Sequence, residues 1–176
     1  MYKRQDKDIA NSVSDHYLPT GLTSILPKKP FSYSISIVDK IDTLVGFFVI
    51  NEKPTSSKDP FALRRAAIGL LRIIIENKLS FKLRDLISYA IRLYQEQGVK
   101  MINSKAEHEI LEFIKERMRN VLKLKYIKTD IIEASISSHS GDNFLALYKK
   151  TILMNKYKNK GIGLNAIISY KRASNI

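Results

Sequence analysis

The sequence predicts an all-α protein, on two observations. Apolar residues recur at spacings of three and four along most of the chain, which is the repeat of an amphipathic helix, and no segment alternates as a surface strand does. Turn formers and helix-capping residues separate these apolar segments from one another. We therefore expect a bundle of helices joined by short loops.

Four helices are predicted in the first hundred residues. The turn-rich segment 20–33 separates the first helix from the second. Asp59 is placed to accept an orphan backbone amide as an N-cap, with Pro60 at the first position of the third helix. Gly98 can supply a left-handed residue that ends the fourth. The predicted ranges are 5–17, 34–50, 60–77 and 82–97.

The rest of the chain predicts four more helices. Ser104 and Glu107 lie three residues apart and predict a capping box at the first of them. Asp142 is the expected cap of the third. The predicted ranges are 105–125, 129–137, 143–157 and 162–173.

Composition excludes several classes of protein. Thirty basic and 17 acidic residues give a formal charge of +13, which attracts phosphate polymers without specifying one. The absence of cysteine excludes a disulfide scaffold and thiolate metal sites. No run of eighteen apolar residues predicts a membrane span, and the charged start of the chain lacks the apolar stretch of a secretory signal. A cytoplasmic location is expected.

The segment 54–65 (PTSSKDPFALRR) is the most informative in the chain. It combines a turn, a helix start and cations on the new helix. Lys58, Arg64 and Arg65 project from this region, and Arg72 follows two turns later. Because a guanidinium matches a phosphate in a two-pronged contact, these side chains predict a polyanion-binding surface.

Two nearby carboxylates offer other interpretations. Arg64 or Arg65 could instead pair with Asp39 or Asp42 and fasten the helices together. Asp39 and Asp42 could also share a metal, since residues three apart lie on one helix face. The histidines that such a site would need are missing around them, so no metal site is predicted.

Several blocks of sequence resemble one known family. DKIDTLVGFF at 39–48 and PTSSKDPFALRRAAIGLLRIIIE at 54–76 resemble the β subunit of the bacterial two-subunit glycyl-tRNA synthetase. HYLP at 16–19 and YKRASNI at 170–176 fit the same family in order and spacing. One departure is Ser56, where the family usually has glycine.

The resemblance implies the domain organisation. Residues 1–98 would be the C-terminal part of an HD-like helical bundle, and residues 105–176 would be the first helices of a DALR-type anticodon-binding helical domain that is truncated here. A linker at 99–104 would join them. Family subunits are far longer, so the chain is expected to be an internal or near-C-terminal slice of one.

Two further groups are predicted RNA contacts by virtue of this resemblance. Lys115, Arg119 and Lys123 repeat along one helix face, which is also how an ordinary solvated face looks. Tyr170 could stack on an unpaired base, or lie in a core. The predicted tRNA-binding residues are Lys58, Arg64, Arg65, Arg72, Lys115, Arg119, Lys123, Tyr170, Lys171 and Arg172.

The resemblance also implies the function, which is tRNA recognition within an ATP-dependent ligase. In this family the α subunit forms glycyl-adenylate with ATP and Mg²⁺, so this chain is expected to hold no cofactor and no catalytic residue. Its expected partners are glycine tRNA, the α subunit and the remainder of the β subunit, with no membrane and no DNA. Two alternatives stay open: a nonspecific basic helical module that binds RNA or protein, and a non-functional remnant of a broken β-subunit gene.

Overall fold

The computed structural model describes residues 7–158, 160, 161, 163–165, 168 and 169. Within that part of the chain the regular structure is helical and contains no strand, which confirms the all-α class. Seven helices have defined bounds there: α1 (Lys7–Asp15), α2 (Pro30–Val49), α3 (Leu63–Glu76), α4 (Leu83–Glu96), α5 (Ala106–Lys123), α6 (Thr129–Ser137) and α7 (Phe144–Tyr157).

Two helix starts differ from the predicted ones by three or four residues. α2 begins at Pro30, since proline supplies the fixed φ of a first helical turn without needing an amide partner. α3 begins at Leu63 rather than at Pro60, because the intervening Ala62 has a left-handed φ of 55° that no helix continues through. The predicted helix over 162–173 lies largely outside the described residues.

Two predicted caps are present. The two carboxylate oxygens of Asp59 accept the amides of Leu63 at 2.8 Å and Arg64 at 3.0 Å, so Asp59 caps α3 although Pro60 is not helical. Gly98 follows α4 with a φ of 76°, the left-handed conformation expected of it.

The predicted capping box at α5 is wrong. The helix starts one residue after Lys105, whose side chain caps nothing, and the amide of Lys105 donates to Asn103 Oδ1 at 3.0 Å. Glu107 instead accepts hydrogen bonds from Ser88 Oγ at 2.6 Å and from the guanidinium of Arg84. A tertiary contact with α4 has therefore replaced the local one.

The predicted cap of α7 by Asp142 is also wrong. Asn143 takes that place, and its Oδ1 accepts the amide of Ala146 at 3.0 Å. Asp142 caps a different helix: its backbone carbonyl accepts the amide of Leu83 at 3.3 Å and its carboxylate accepts the amide of Arg84 at 3.0 Å. The loop before α7 thus satisfies the start of α4.

A single hydrophobic core runs through the bundle, with α3 at its centre. α3 packs against α2, α5 and α7, and its residues Leu70, Leu71 and Ile73 are fully buried. The segment predicted as a linker is tied to this bundle, because the amides of Ile102 and Asn103 both donate to the Val49 carbonyl, at 3.0 and 3.1 Å. In the described part of the chain, the buried residues before and after that segment form one continuous core.

Candidate nucleic-acid interface

The turn at 54–62 is closed by its own backbone and by one arginine. The amide of Thr55 donates to the Lys58 carbonyl at 3.0 Å, and Thr55 Oγ1 accepts the Lys58 amide at 3.2 Å. The Arg64 guanidinium donates to the Thr55 carbonyl and, at 3.5 Å, to that of Ser56. Arg64 is thus engaged in holding the turn, while the Lys58 side chain stays exposed.

The backbone of Ser56 in this turn is not left-handed. The left-handed residue of the region is Ala62, immediately before α3. A glycine is therefore not required at position 56 for the conformation seen here.

Arg65 lies one residue further along α3 and is exposed. It lines an open cleft with Tyr17, Asp39 and Lys40. Within the described part of the chain, neither Arg64 nor Arg65 forms an ion pair with Asp39 or Asp42, and Arg65 has no hydrogen-bond partner. The guanidinium of Arg65 therefore remains available to a ligand.

Arg72, by contrast, is a clamp on the loop before α2. Its Nη1 donates to the Gly21 carbonyl at 2.5 Å and its Nη2 to the Ser24 carbonyl at 2.8 Å. Partial burial lowers the pKa of Arg72, against the opposing effect of Glu76. Both terminal nitrogens of its guanidinium therefore already donate to carbonyl groups of the protein.

The predicted basic face of α5 is a mixed face in the structure. Lys115 lies 3.5 Å from Glu112, and Arg119 makes a two-pronged contact with Glu133 at 2.9 and 3.0 Å. These hydrogen bonds raise the pKa of Arg119 and lower that of Glu133. Of the three predicted cations, Lys123 alone is exposed and outside an ion pair in the described structure.

The last three predicted contacts, Tyr170, Lys171 and Arg172, lie outside the described residues. Among the residues that are described, no three histidine or acidic side chains meet where a metal ion would fit. None of the described helices combines the length and the apolar character of a membrane-spanning segment.

Of one exposed basic and aromatic segment, the sequence reasoning predicted only Lys123 as a contact and missed the rest. The turn between α5 and α6 reads KLKYIK over 123–128, and Tyr126 within it is 94% exposed. Three lysines around one tyrosine within six residues were the available signal. Helical periodicity does not reveal this segment, because its residues fall between the end of α5 and the start of α6.

The sequence reasoning also missed Lys40, which is a buried cation. Its side chain is 4% exposed, and its Nζ donates to Ser36 Oγ at 2.9 Å and to the His16 carbonyl at 3.2 Å. A Cβ added at Gly69 would lie 2.9 Å from Lys40 Cε, so that glycine makes room for the lysine. Burial lowers the pKa of Lys40 despite the neighbouring charge of Asp39.

We expect Lys40 to make stability rise with pH below its ordinary pKa of 10.5. The folded pKa is the lower one, so between the two values the unfolded chain binds more protons, and alkalinity favours folding there. In Lys40→Met this contribution should vanish. Urea unfolding of both proteins at several pH values between neutrality and the ordinary pKa measures the difference in the free energy of unfolding, in which the contributions of all titratable groups that the two proteins share cancel. Exposed Lys149→Met is the matched control and should keep the wild-type rise; parallel curves for wild type and Lys40→Met would contradict the prediction.

The described part of the chain is an all-helical bundle with an exposed, unpartnered Arg65 beside the turn at 54–62. The family model described as "Glycyl-tRNA synthetase beta subunit" matches residues 1–137. The chain therefore belongs to the glycyl-tRNA synthetase beta subunit family, which confirms the resemblance inferred from its motifs.

Curated relatives agree with this assignment. The glycine–tRNA ligase beta subunit of Rhodospirillum centenum is 36% identical over 169 residues, which cover 96% of this chain and 23% of the relative. The subunit of the same name from Rickettsia canadensis is 37% identical over 171 residues, which cover 97% of this chain and 24% of the relative. The chain thus spans about a quarter of the length of the curated relatives it matches.

Proposed function

We propose that this chain is a tRNA-recognition portion of a glycine–tRNA ligase beta subunit. The observation that supports this most is Arg65, an exposed guanidinium without a protein partner in the described structure, inside the segment that matches the family. Lys58 is exposed on the turn before it. Together they form a surface that can contact phosphate through side chains.

The start of α3 itself is not the anion site. Two of its first amides are already bound by Asp59, and that carboxylate offsets the positive end of the helix. Phosphate contact is therefore assigned to the side chains of Arg65 and Lys58. Such contacts position a nucleic acid without reading its sequence.

Within the proposed assembly, this chain positions glycine tRNA while the α subunit carries out the ATP-dependent chemistry with Mg²⁺. The chain supplies no catalytic residue and binds no cofactor. Its partners are glycine tRNA, the α subunit and the remainder of the β subunit, in the cytoplasm.

Binding of the purified chain to glycine tRNA and to a non-cognate tRNA tests this proposal. The two tRNAs are compared at about 50 and about 200 mM salt, because phosphate contacts make log K fall steeply with log salt. Tight, salt-sensitive binding that prefers glycine tRNA is expected. Equal binding to both would reduce the chain to a nonspecific basic module, and no binding to either would indicate a non-functional remnant.

Arg65→Gln is expected to weaken tRNA binding without affecting the fold. Loss of one phosphate contact should reduce the slope of log K on log salt by about one unit. The free energy of unfolding should change by less than about 0.5 kcal/mol, since the side chain is exposed and unpartnered in the described structure. Exposed Arg92→Gln on α4 is the matched control and should leave binding unchanged. A wild-type salt slope for Arg65→Gln would remove Arg65 from the interface.

A further inference from the structure

The turn between α5 and α6 holds an aromatic ring in solvent on an unusual backbone. Tyr126 is 94% exposed and has a left-handed φ of 55°. The turn is closed by backbone hydrogen bonds, from the amide of Lys125 to the Leu122 carbonyl and from the amide of Tyr126 to the Lys123 carbonyl, both at 3.0 Å. The tyrosine ring takes no part in closing it.

A tyrosine at this position works against the stability of the turn. Bulky residues rarely adopt left-handed φ, where glycine is at ease, and strain of this kind persists at sites of function. Side-chain packing offers no compensation, because the ring is almost wholly in water. Packing within the described residues therefore gives no reason for an aromatic side chain here.

Lysines flank the ring in sequence, and the carboxylates of Glu133 and Asp130 lie within electrostatic reach of Lys123 and Lys128 respectively. Lys123 and Lys128 are exposed and form no hydrogen bond or ion pair through their side chains in the described structure. Lys125 has only a long contact of 3.6 Å with Glu76. An exposed ring among cations is how proteins hold single-stranded nucleic acid, with the ring stacked on a base and the cations at the backbone phosphates.

We propose that the α5–α6 turn is a stacking site for an unpaired RNA base, with Tyr126 under the base and Lys123 and Lys128 at the flanking phosphates. This inference rests on the proposed function and names a second contact, on a different loop from that of Arg65. The stacking residue on this loop is Tyr126. The surface selects single-stranded over duplex RNA, because a duplex keeps its base faces covered.

Tyr126→Gly separates this role from a structural one, since the two roles predict opposite effects. Glycine relieves the left-handed strain, so the free energy of unfolding should stay equal or rise. Affinity of the full chain for a mixed-sequence single-stranded RNA of about 10 nucleotides should fall about 5- to 100-fold, the range for loss of one stacked base. Tyr126→Phe should retain the wild-type affinity.

A control variant and additional RNA ligands accompany the Tyr126→Gly measurement. Asn51→Gly, at another left-handed residue, is the backbone control and should bind as wild type. Affinity for an RNA duplex and the salt slope should be unchanged in Tyr126→Gly, because the ring carries no charge. Glycine tRNA is tested alongside the single strand.

The outcomes distinguish this inference from the proposed function. If wild type binds tRNA and Tyr126→Gly binds the single strand equally well, the stacking site is overturned and the proposed function stands. A Tyr126→Gly protein that unfolds would also overturn the stacking site, because the ring would then be structural. Absence of RNA binding by wild type would overturn both.

Discussion

Ile114→Ala is expected to lower the free energy of unfolding by about 2–5 kcal/mol, the range for removing a buried isoleucine side chain beyond Cβ. Ile114 lies on α5 and is fully buried, and α5 packs against the central helix α3. Because the core is continuous across residues 99–104, the loss of stability should affect the helices both before and after that segment.

Urea unfolding combined with amide hydrogen exchange measures this effect. A single transition should shift to lower urea, and exchange of the most protected amides of α3 should accelerate with it. Val38→Ala is the control, because Val38 is 65% exposed and should cost little. Two separate transitions, with α3 protection unchanged by Ile114→Ala, would show that the segments before and after 99–104 fold independently.

Arg72→Met is expected to lower the free energy of unfolding by about 1.5–3 kcal/mol, the range for losing hydrogen bonds from a charged donor. Methionine keeps much of the length of the side chain but cannot donate to the Gly21 and Ser24 carbonyls. The loop before α2 should then detach from α3 first. Proteolysis of that loop and urea unfolding are the measurements.

The same variant separates a structural arginine from an RNA contact. Arg72→Met should leave the salt slope of tRNA binding as in wild type when measured where the protein stays folded, whereas Arg65→Gln should reduce it. A reduced slope together with an unchanged free energy of unfolding would instead place Arg72 at the RNA, as its sequence pattern predicts.

Much of the fold was predictable because its signals are local. The repeat of apolar residues placed α2 to α7 to within a few residues, and Asp59 and Gly98 marked helix ends through conformations set by one or two residues. The two wrong caps have a common cause. Glu107 and Asp142 are both competent cap residues, but each satisfies a partner on α4 instead.

The candidate site was predictable only as a set of residue types. The motif at 54–65 identified the family, and Arg65 within it is exposed in the structure. Which cations stay available could not be predicted, because their partners are distant in sequence. Arg119 meets Glu133 fourteen positions away, and Arg72 meets Gly21 across 51 positions.

The sequence by itself determined the helical class, the helix order and the family, since periodicity and motifs depend on residues close together in the chain. Only the tertiary structure decided which charges are used internally. It buried Lys40 at a position that the helical pattern leaves undetermined, and it left the ring of Tyr126 in water. The physical reason is that an ion pair or a buried amine depends on which helices meet, and that is settled by packing of the whole core.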